Sequence, residues 1–135
     1  AFAWYRRAEA GSANGHAEAF QMVETGRAAA FAMDDILLYS LVAQARNPKD
    51  YAISSEATSV EPYGIMLRKD DTAFKKVVNG AINALYKSGE INKIYDKWFL
   101  HPIPPKSVNL NVPMGASFKK VVSKPTDSGD PKDYQ

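Results

Sequence analysis

The stretch SANGHAEAFQMVETGRAAAFAMDD, residues 12–35, decides the fold of this chain. Its polar, glycine-containing start is a turn, and a short helix is predicted over residues 17–25, with Gly26 as its C-terminal stop. Residues 28–33 form a brief apolar run that is typical of a buried strand in a parallel sheet. Asp34 and Asp35 then begin a second helix, because carboxylates suit the positive end of the helix dipole.

The rest of the chain continues this alternation. Short strands are predicted over residues 51–54 and 63–67, and the clearest helix begins after residues 69–72 and ends at Gly89. Apolar residues recur along that helix at spacings of three and four: Phe74, Val77, Val78, Ala81, Ile82 and Leu85. Further helices are predicted over about 90–99 and 117–122, separated by an extended segment at 107–112, and residues 125–135 are predicted to be a disordered tail. The order predicts an α/β fold with helical additions.

Composition excludes several classes of function. The chain has 135 residues, 45% of them apolar and 24% charged, which is typical of a soluble globular protein. Its 17 basic and 15 acidic residues leave a net charge of +2, too balanced for a nucleic-acid-binding surface. There is no cysteine, which excludes disulfides and cysteine-based zinc sites, and the two histidines lie far apart, so no metal site and no cofactor is predicted.

Asp34 is the first candidate site residue. It lies where an apolar strand ends and a helix begins, and in open α/β sheets ligands bind at that edge. A carboxylate there can accept a charge-assisted hydrogen bond from the ammonium group of an amino acid. The alternative is that Asp34 only caps the helix, a contribution of about 1 kcal/mol. Asp35 is a second candidate for the cap, which would leave Asp34 for a ligand.

His16 is the second candidate. A charged imidazole at a helix start opposes the dipole, so a nearby anion such as an acidic ligand would be needed to hold the charge. The alternative is a neutral surface histidine. Catalysis has little support: His16 with Glu18 is the one conceivable acid/base pair, and no nucleophile motif or phosphate-binding loop accompanies it.

Several segments resemble the periplasmic glutamate/aspartate-binding proteins of ABC transporters, which are type II periplasmic binding proteins. The similarity covers roughly residues 12–126 and rests on residues 12–35, 61–71, Ile94-Tyr95-Asp96-Lys97-Trp98-Phe99 and Pro102-Ile103-Pro104-Pro105-Lys106, in the same order. The family fold is a two-lobed α/β clamp with the ligand between the lobes. The resemblance implies that Asp34 binds the ligand's α-ammonium and that His16 contacts its side-chain carboxylate.

The resemblance also implies how the chain is divided. Residues 12–60 would be the C-terminal half of the second lobe, with Glu61, Pro62 and Tyr63 as the hinge returning to the first lobe. Residues 61–124 would contain that hinge and the C-terminal helices of the first lobe, and residues 1–11 are an atypical N-terminal segment. We expect the clamp to be truncated at its N-terminus, because the family's carboxylate-binding Arg and its Ser/Thr donors have no counterpart here. One further departure is Gly15, where the family has an acidic residue.

The function implied is that of a non-enzymatic, periplasmic solute-binding protein for glutamate or aspartate that feeds the membrane permease of an ABC importer. Two alternatives remain open. One is a truncated lobe with a structural or interaction role and no ligand binding, and the other is a dehydratase or lyase on the same fold. Truncation would also expose apolar faces, so we expect self-association or a swapped dimer, or a chain that is a fragment of a larger molecule.

Overall fold

The computed structural model describes residues 2–4 and 10–134, and predictions that concern residue 1, residues 5–9 or residue 135 lie outside the described residues. Its contacts divide the chain into two compact units, Ala1–Ile53 and Ser54–Gln135. Of the atypical N-terminal segment, residues 2–4 and 10–11 are described, and both ranges belong to β-strands.

The described strands of the first unit form a three-stranded sheet in the order β2-β1-β3, where β1 is Phe2–Trp4, β2 is Ala10–Ser12 and β3 is Ala30–Ala32. Both pairings with β1 are antiparallel. The strand predicted over residues 28–33 is therefore confirmed in its central part, but the prediction of a buried strand in a parallel sheet is wrong, because Ala30 and Ala32 are exposed and the pairing is antiparallel. The sequence did not reveal this pairing because the neighbouring strand, β1, has only three residues. Three residues are too few to show the alternation by which a strand is recognised in a sequence.

Two predicted helices complete the first unit. Helix α1 spans His16–Glu24 and helix α2 spans Asp35–Ala43, followed by a 3-10 turn at Pro48–Asp50. Among the side chains of this unit that the structure describes, the buried apolar ones are Ala19, Phe20, Met22 and Ala28. The Phe20 ring packs on Tyr51 with their centroids 5.1 Å apart. Burial raises the pKa of Tyr51, and the nearby carboxylates of Glu24 and Asp50 raise it further.

Residues 51–71 contain neither helix nor strand, so the strands predicted over 51–54 and 63–67 are wrong. A strand needs a hydrogen-bonded neighbour, and local side-chain bonds replace that pairing here. The Ser54 hydroxyl accepts a hydrogen bond from the Glu56 amide at 3.1 Å, and Ser59 donates to the Glu61 carboxylate at 3.3 Å. Pro62 lacks the amide that a central strand would donate.

The helices of the second unit are α3 at Thr72–Ser88, α4 at Glu90–Tyr95 and α5 at Ala116–Ser123. Asp71 caps α3 by accepting a hydrogen bond from the Phe74 amide at 2.9 Å, and Gly89 ends it with a φ of 75°. A π-helical turn, Asp96–Leu100, extends α4 to the predicted end of that helix. The three helices predicted in this region are thus confirmed.

Aromatic rings join the helices of this unit. Phe118 on α5 lies 6.4 Å from Tyr86 on α3 and 5.5 Å from Tyr95 on α4, measured between ring centroids. Tyr95 stacks on Phe99 at 4.2 Å. The ring of Phe118 therefore connects α5 with both other helices.

The C-terminal segment differs from the disordered tail predicted over residues 125–135. Asp127 binds the Lys75 ammonium at 2.9 Å and the Asn79 side-chain amide at 2.9 Å, and Pro131–Tyr134 form a 3-10 turn. The hydrogen bonds from Lys75 and Asn79 hold the pKa of Asp127 below its ordinary value. These anchors are polar, so the absence of an apolar stripe in the sequence did not predict disorder correctly.

Candidate functional site

The two candidate residues follow strands that end at the same edge of the sheet. Ser12, the last residue of β2, and Ala32, the last residue of β3, both pair with Phe2 from opposite sides of β1. Since β2 and β3 are each antiparallel to β1, they run in the same direction. His16 comes four residues after one strand end and Asp34 comes two residues after the other.

His16 is the first residue of α1, and its side chain is exposed. The preceding N-cap position is Gly15, whose φ of −173° and ψ of 175° are ordinary extended backbone. A Cβ added at Gly15 would have nothing within 4 Å, so the fold does not require glycine there. Replacing an acidic cap by glycine costs only a few tenths of a kcal/mol. This departure from the family pattern therefore leaves the helix start intact.

Glu18 contributes to the start of α1. Its carboxylate accepts a hydrogen bond from the Asn14 backbone amide at 2.8 Å, so it reaches back across the first turn like the acidic member of a capping box. A carboxylate that satisfies a backbone amide in this way has a structural role. The arrangement gives no support to Glu18 as the orienting partner of His16 in an acid/base pair.

Asp34 is the N-cap residue of α2 and is half-buried, with φ −55° and ψ 135°. Its backbone carbonyl accepts hydrogen bonds from the amides of Leu37 and Leu38, both at 3.1 Å, whereas its side chain makes no capping hydrogen bond. The carboxylate of Asp35 accepts from the Ile36 amide at 2.7 Å. Asp34 therefore does not cap α2 through its side chain. The neighbouring carboxylate, that of Asp35, contacts a backbone amide of the helix instead.

The predicted hinge residues Glu61, Pro62 and Tyr63 belong to the second unit. They lie in the irregular segment between the sheet-containing unit and α3, where Glu61 is held by Ser59 and Tyr63 is exposed. A segment without helix or strand can change its backbone dihedral angles without breaking a hydrogen-bonded element, as hinges do.

Two open surface grooves lie elsewhere, both in the second unit. The larger has a volume of about 500 Å³ and the smaller about 200 Å³. Neither is lined by His16 or Asp34; the larger is lined by Thr72, Lys75, Lys76, Asn79, Gly80 and Asn83. Within the described ranges, no group of three or more His, Cys, Asp or Glu side chains could hold a metal ion. Of the helices described, none is long and apolar enough to cross a membrane.

Comparison with known proteins identifies a family. The model of "Bacterial extracellular solute-binding proteins, family 3" matches residues 10–101, more than half of the chain. Over 116 residues, 86% of the chain, it is 56% identical to the L-glutamate/L-aspartate-binding protein of Pseudomonas aeruginosa. Over the same length it is 44% identical to the glutamate/aspartate import solute-binding protein of Escherichia coli. A more distant match, 31% identical over 83 residues, is the ABC transporter glutamine-binding protein of Bacillus subtilis, of which 29% is covered, against 62% of this chain.

The chain spans 38% of the length of the two more similar relatives. The similarity inferred from residues 12–126 is confirmed by these matches. All three relatives are named as binding proteins, and none is named as an enzyme.

Proposed function

The chain belongs to the family 3 bacterial extracellular solute-binding proteins, and we propose that it forms part of the ligand cleft of a periplasmic binding protein for glutamate or aspartate. The names of its two more similar relatives support this ligand class. The family fold is a two-lobed clamp, and the chain contributes a portion of it without enzymatic activity.

One structural observation carries the proposal: the strands that precede His16 and Asp34 end at the same level of the sheet, on opposite sides of Phe2. In this proposal, the carboxylate of Asp34 binds the α-ammonium of the ligand. His16 donates to the side-chain carboxylate, the group that separates acidic from neutral amino acids. The two interactions are charge-assisted and therefore favour a zwitterion with one extra anionic group.

The division into lobes follows the same proposal. Residues 12–60 form the C-terminal half of the second lobe, Glu61, Pro62 and Tyr63 form the hinge, and residues 61–124 include the C-terminal helices of the first lobe. The irregular backbone of residues 51–71 supports a hinge in this region. In the complete protein, the loaded clamp delivers its ligand to the membrane permease of an ABC importer.

The chain by itself binds weakly. Tight binding in this family involves an Arg on the α-carboxylate and closure of both lobes, and no Arg of this sequence stands in a matching motif. We expect isothermal titration calorimetry with L-glutamate to give no dissociation constant below a millimolar. A micromolar constant would show that this chain binds tightly without that Arg and without closure of both lobes, which would contradict this expectation.

The proposed roles of His16 and Asp34 can be tested by detecting weak binding of L-glutamate. Amide and imidazole NMR signals are followed during titration with tens of millimolar L-glutamate, a range suited to millimolar affinities. We expect shifts around residues 14–18 and 33–36, with smaller shifts for L-glutamine, which lacks the side-chain carboxylate. Asp34→Asn and His16→Gln should each abolish them.

Asp35→Asn is the matched control, because it neutralises the adjacent carboxylate that contacts its own helix. Equal losses in Asp34→Asn and Asp35→Asn would indicate general electrostatics and not a site. Shifts confined to other regions, or none at the highest concentration, would contradict the proposed cleft.

A second candidate function is favoured by the exposed apolar side chains of the second unit, such as Met66 and Val77. In it, the chain does not bind a ligand and acts through association, either with itself or with another protein. It is distinguished from the first by the same titration: association in the absence of any glutamate-dependent shift favours it.

A further inference from the structure

The chain contains two Asn-Gly dipeptides, and they lie in different structural settings. Asn14-Gly15 forms a bend between β2 and α1, whereas Asn79-Gly80 lies inside α3. In an Asn-Gly sequence the glycine amide nitrogen can attack the asparagine side chain with little hindrance, because glycine has no Cβ. The dipeptide in the bend directly precedes His16, so a chemical change of Asn14 falls beside one end of the proposed ligand site.

The backbone around Asn14 permits this attack. Gly15 has an extended backbone, with φ −173° and ψ 175°, and it precedes the first residue of α1. Among the described residues, none forms a hydrogen bond with the Gly15 amide or with the Asn14 side chain. Asn14 is held through its own backbone amide, which donates to the Glu18 carboxylate at 2.8 Å. The side-chain carbon of Asn14 can therefore approach the Gly15 nitrogen without the loss of a hydrogen bond.

The same dipeptide in α3 is constrained by its contacts. Inside an α-helix each backbone amide donates to the carbonyl four residues earlier, and ψ is about −42°. Gly80 is such an interior residue, and the Asn79 side-chain amide donates to the Asp127 carboxylate at 2.9 Å. Attack by the Gly80 nitrogen would therefore require local opening of α3 and loss of the contact with Asp127. The two dipeptides thus differ in backbone conformation and in hydrogen bonding.

We propose that Asn14 is a site of spontaneous deamidation and that the product weakens the binding of an acidic ligand. The Gly15 nitrogen forms a bond to the side-chain carbonyl carbon of Asn14, and its proton leaves with the side-chain nitrogen as ammonia. Water then adds to either carbonyl carbon of the five-membered imide and breaks its bond to the ring nitrogen, which takes up a proton. The products are aspartate and isoaspartate at position 14, each with one additional negative charge.

The additional charge lies close to a proposed ligand contact. His16 is two residues from Asn14, and in the proposed function it donates to the side-chain carboxylate of the ligand. A carboxylate at position 14 repels that anionic group and competes with it for the imidazolium. At a separation of about 8 Å in water, the repulsion alone corresponds to about a twofold loss of affinity. This effect on binding rests on the proposed function, whereas the deamidation does not.

Peptide mapping after incubation tests the modification. The folded chain is incubated at mildly alkaline pH and physiological temperature, and trypsin then places the two dipeptides in separate peptides, residues 8–27 and 77–87. Mass spectrometry detects the replacement of an amide by a carboxyl group, and electron-transfer fragmentation assigns the position and distinguishes isoaspartate from aspartate. We expect Asn14 to convert about tenfold faster than Asn79, or more, because conversion of Asn79 requires opening of α3.

Two controls separate the effect of structure from that of sequence. In concentrated urea the two rates should converge, because the unfolded chain no longer constrains Asn79. Gly15→Ser is the matched variant, since an added Cβ at Gly15 would have nothing within 4 Å and serine is a favourable N-cap residue. It should preserve α1 and slow the conversion of Asn14 several-fold, because the attacking nitrogen is more hindered.

The NMR titration with L-glutamate tests the effect on binding. Asn14→Asp supplies the deamidated side chain directly, and its dissociation constant should exceed that of the unaltered chain by about twofold or more. Gln21→Glu is the matched control, because it adds the same charge at an exposed position of α1 more than one helical turn from His16. It should change the dissociation constant less, since salt screens charges beyond about 8 Å.

The possible outcomes are distinguishable. Absent or equal conversion of the two asparagines in the folded chain, or aspartate without isoaspartate at position 14, would overturn the proposed modification. A dissociation constant of Asn14→Asp equal to that of the unaltered chain would overturn the effect on binding. If the unaltered chain shows no glutamate-dependent shift, the proposed function fails together with that effect, while the peptide maps still decide whether Asn14 deamidates.

Discussion

Two glycine-to-alanine substitutions in the second unit should change its stability in opposite directions. Gly80 lies inside α3, and an added Cβ would have nothing within 4 Å. Gly89 ends α3 with a φ of 75°, and the nearest atom to an added Cβ would be the Asn92 side-chain nitrogen at an ordinary 3.7 Å. Space is thus available at both positions, and only the backbone conformation differs.

The magnitudes follow from that difference. Gly80→Ala should raise the free energy of unfolding by about 1 kcal/mol, the helix-propensity gain of alanine over glycine. Gly89→Ala places an L-residue in the left-handed region at a cost of about 1–2 kcal/mol. The reduced entropy of the unfolded chain offsets about 0.4–1 kcal/mol of this. The two variants should therefore differ by about 2 kcal/mol.

Urea denaturation followed by circular dichroism at 222 nm measures the difference. The protein concentration is held constant, because self-association would make the midpoint depend on it. We expect the midpoints to move apart with an unchanged denaturant slope. If Gly89→Ala were as stabilising as Gly80→Ala, α3 would not end in a left-handed residue and the boundary between α3 and α4 would be wrong.

Three further predictions concern single contacts. Asp71→Ala should lower the free energy of unfolding by about 1 kcal/mol, because it removes the N-cap bond of α3, and Asp71→Ser should restore most of it in the same urea assay. Phe20→Ala should cost about 3 kcal/mol by opening the small core of the first unit; a loss under 1 kcal/mol would mean that this core does not hold the unit together. Because the pKa of Asp127 is lowered, its contact with Lys75 contributes fully above the ordinary value of 3.8 and is lost as the pH falls through the lowered pKa. In an acid titration followed by NMR, the signals of the C-terminal segment should show loss of its contact with α3 in that pH range. The variant Asp127→Asn should not show this pH-dependent change.

The helices were predictable because their signals are local. Asp71 and Gly89 delimit α3 in the sequence as they do in the structure, and the spacing of its apolar residues gives its period. The three-residue strands were not predictable in the same way. β1 and β2 are too short for a period, and their pairing is set by long-range contacts that no local pattern encodes.

The candidate site was only partly predictable. The strand-to-helix junction at Asp34 is visible in the sequence, but whether Asp34 or Asp35 contacts the helix amides depends on backbone dihedral angles. The sequence also could not predict that the apolar face of α3 is exposed. Its pattern of Phe74, Val77 and Leu85 is the same whether a partner is present or absent.

The position of Phe2 between two strand ends has a consequence for ligand length. With neighbouring strands about 4.8 Å apart, the Cα atoms of Ser12 and Ala32 are separated by roughly 10 Å. Backbone hydrogen bonds between the strands maintain this distance, so side-chain substitutions do not change it. If His16 and Asp34 bind the ligand as proposed, selection between the longer and the shorter acidic amino acid depends on how far the imidazole and the carboxylate reach inward from the two strand ends.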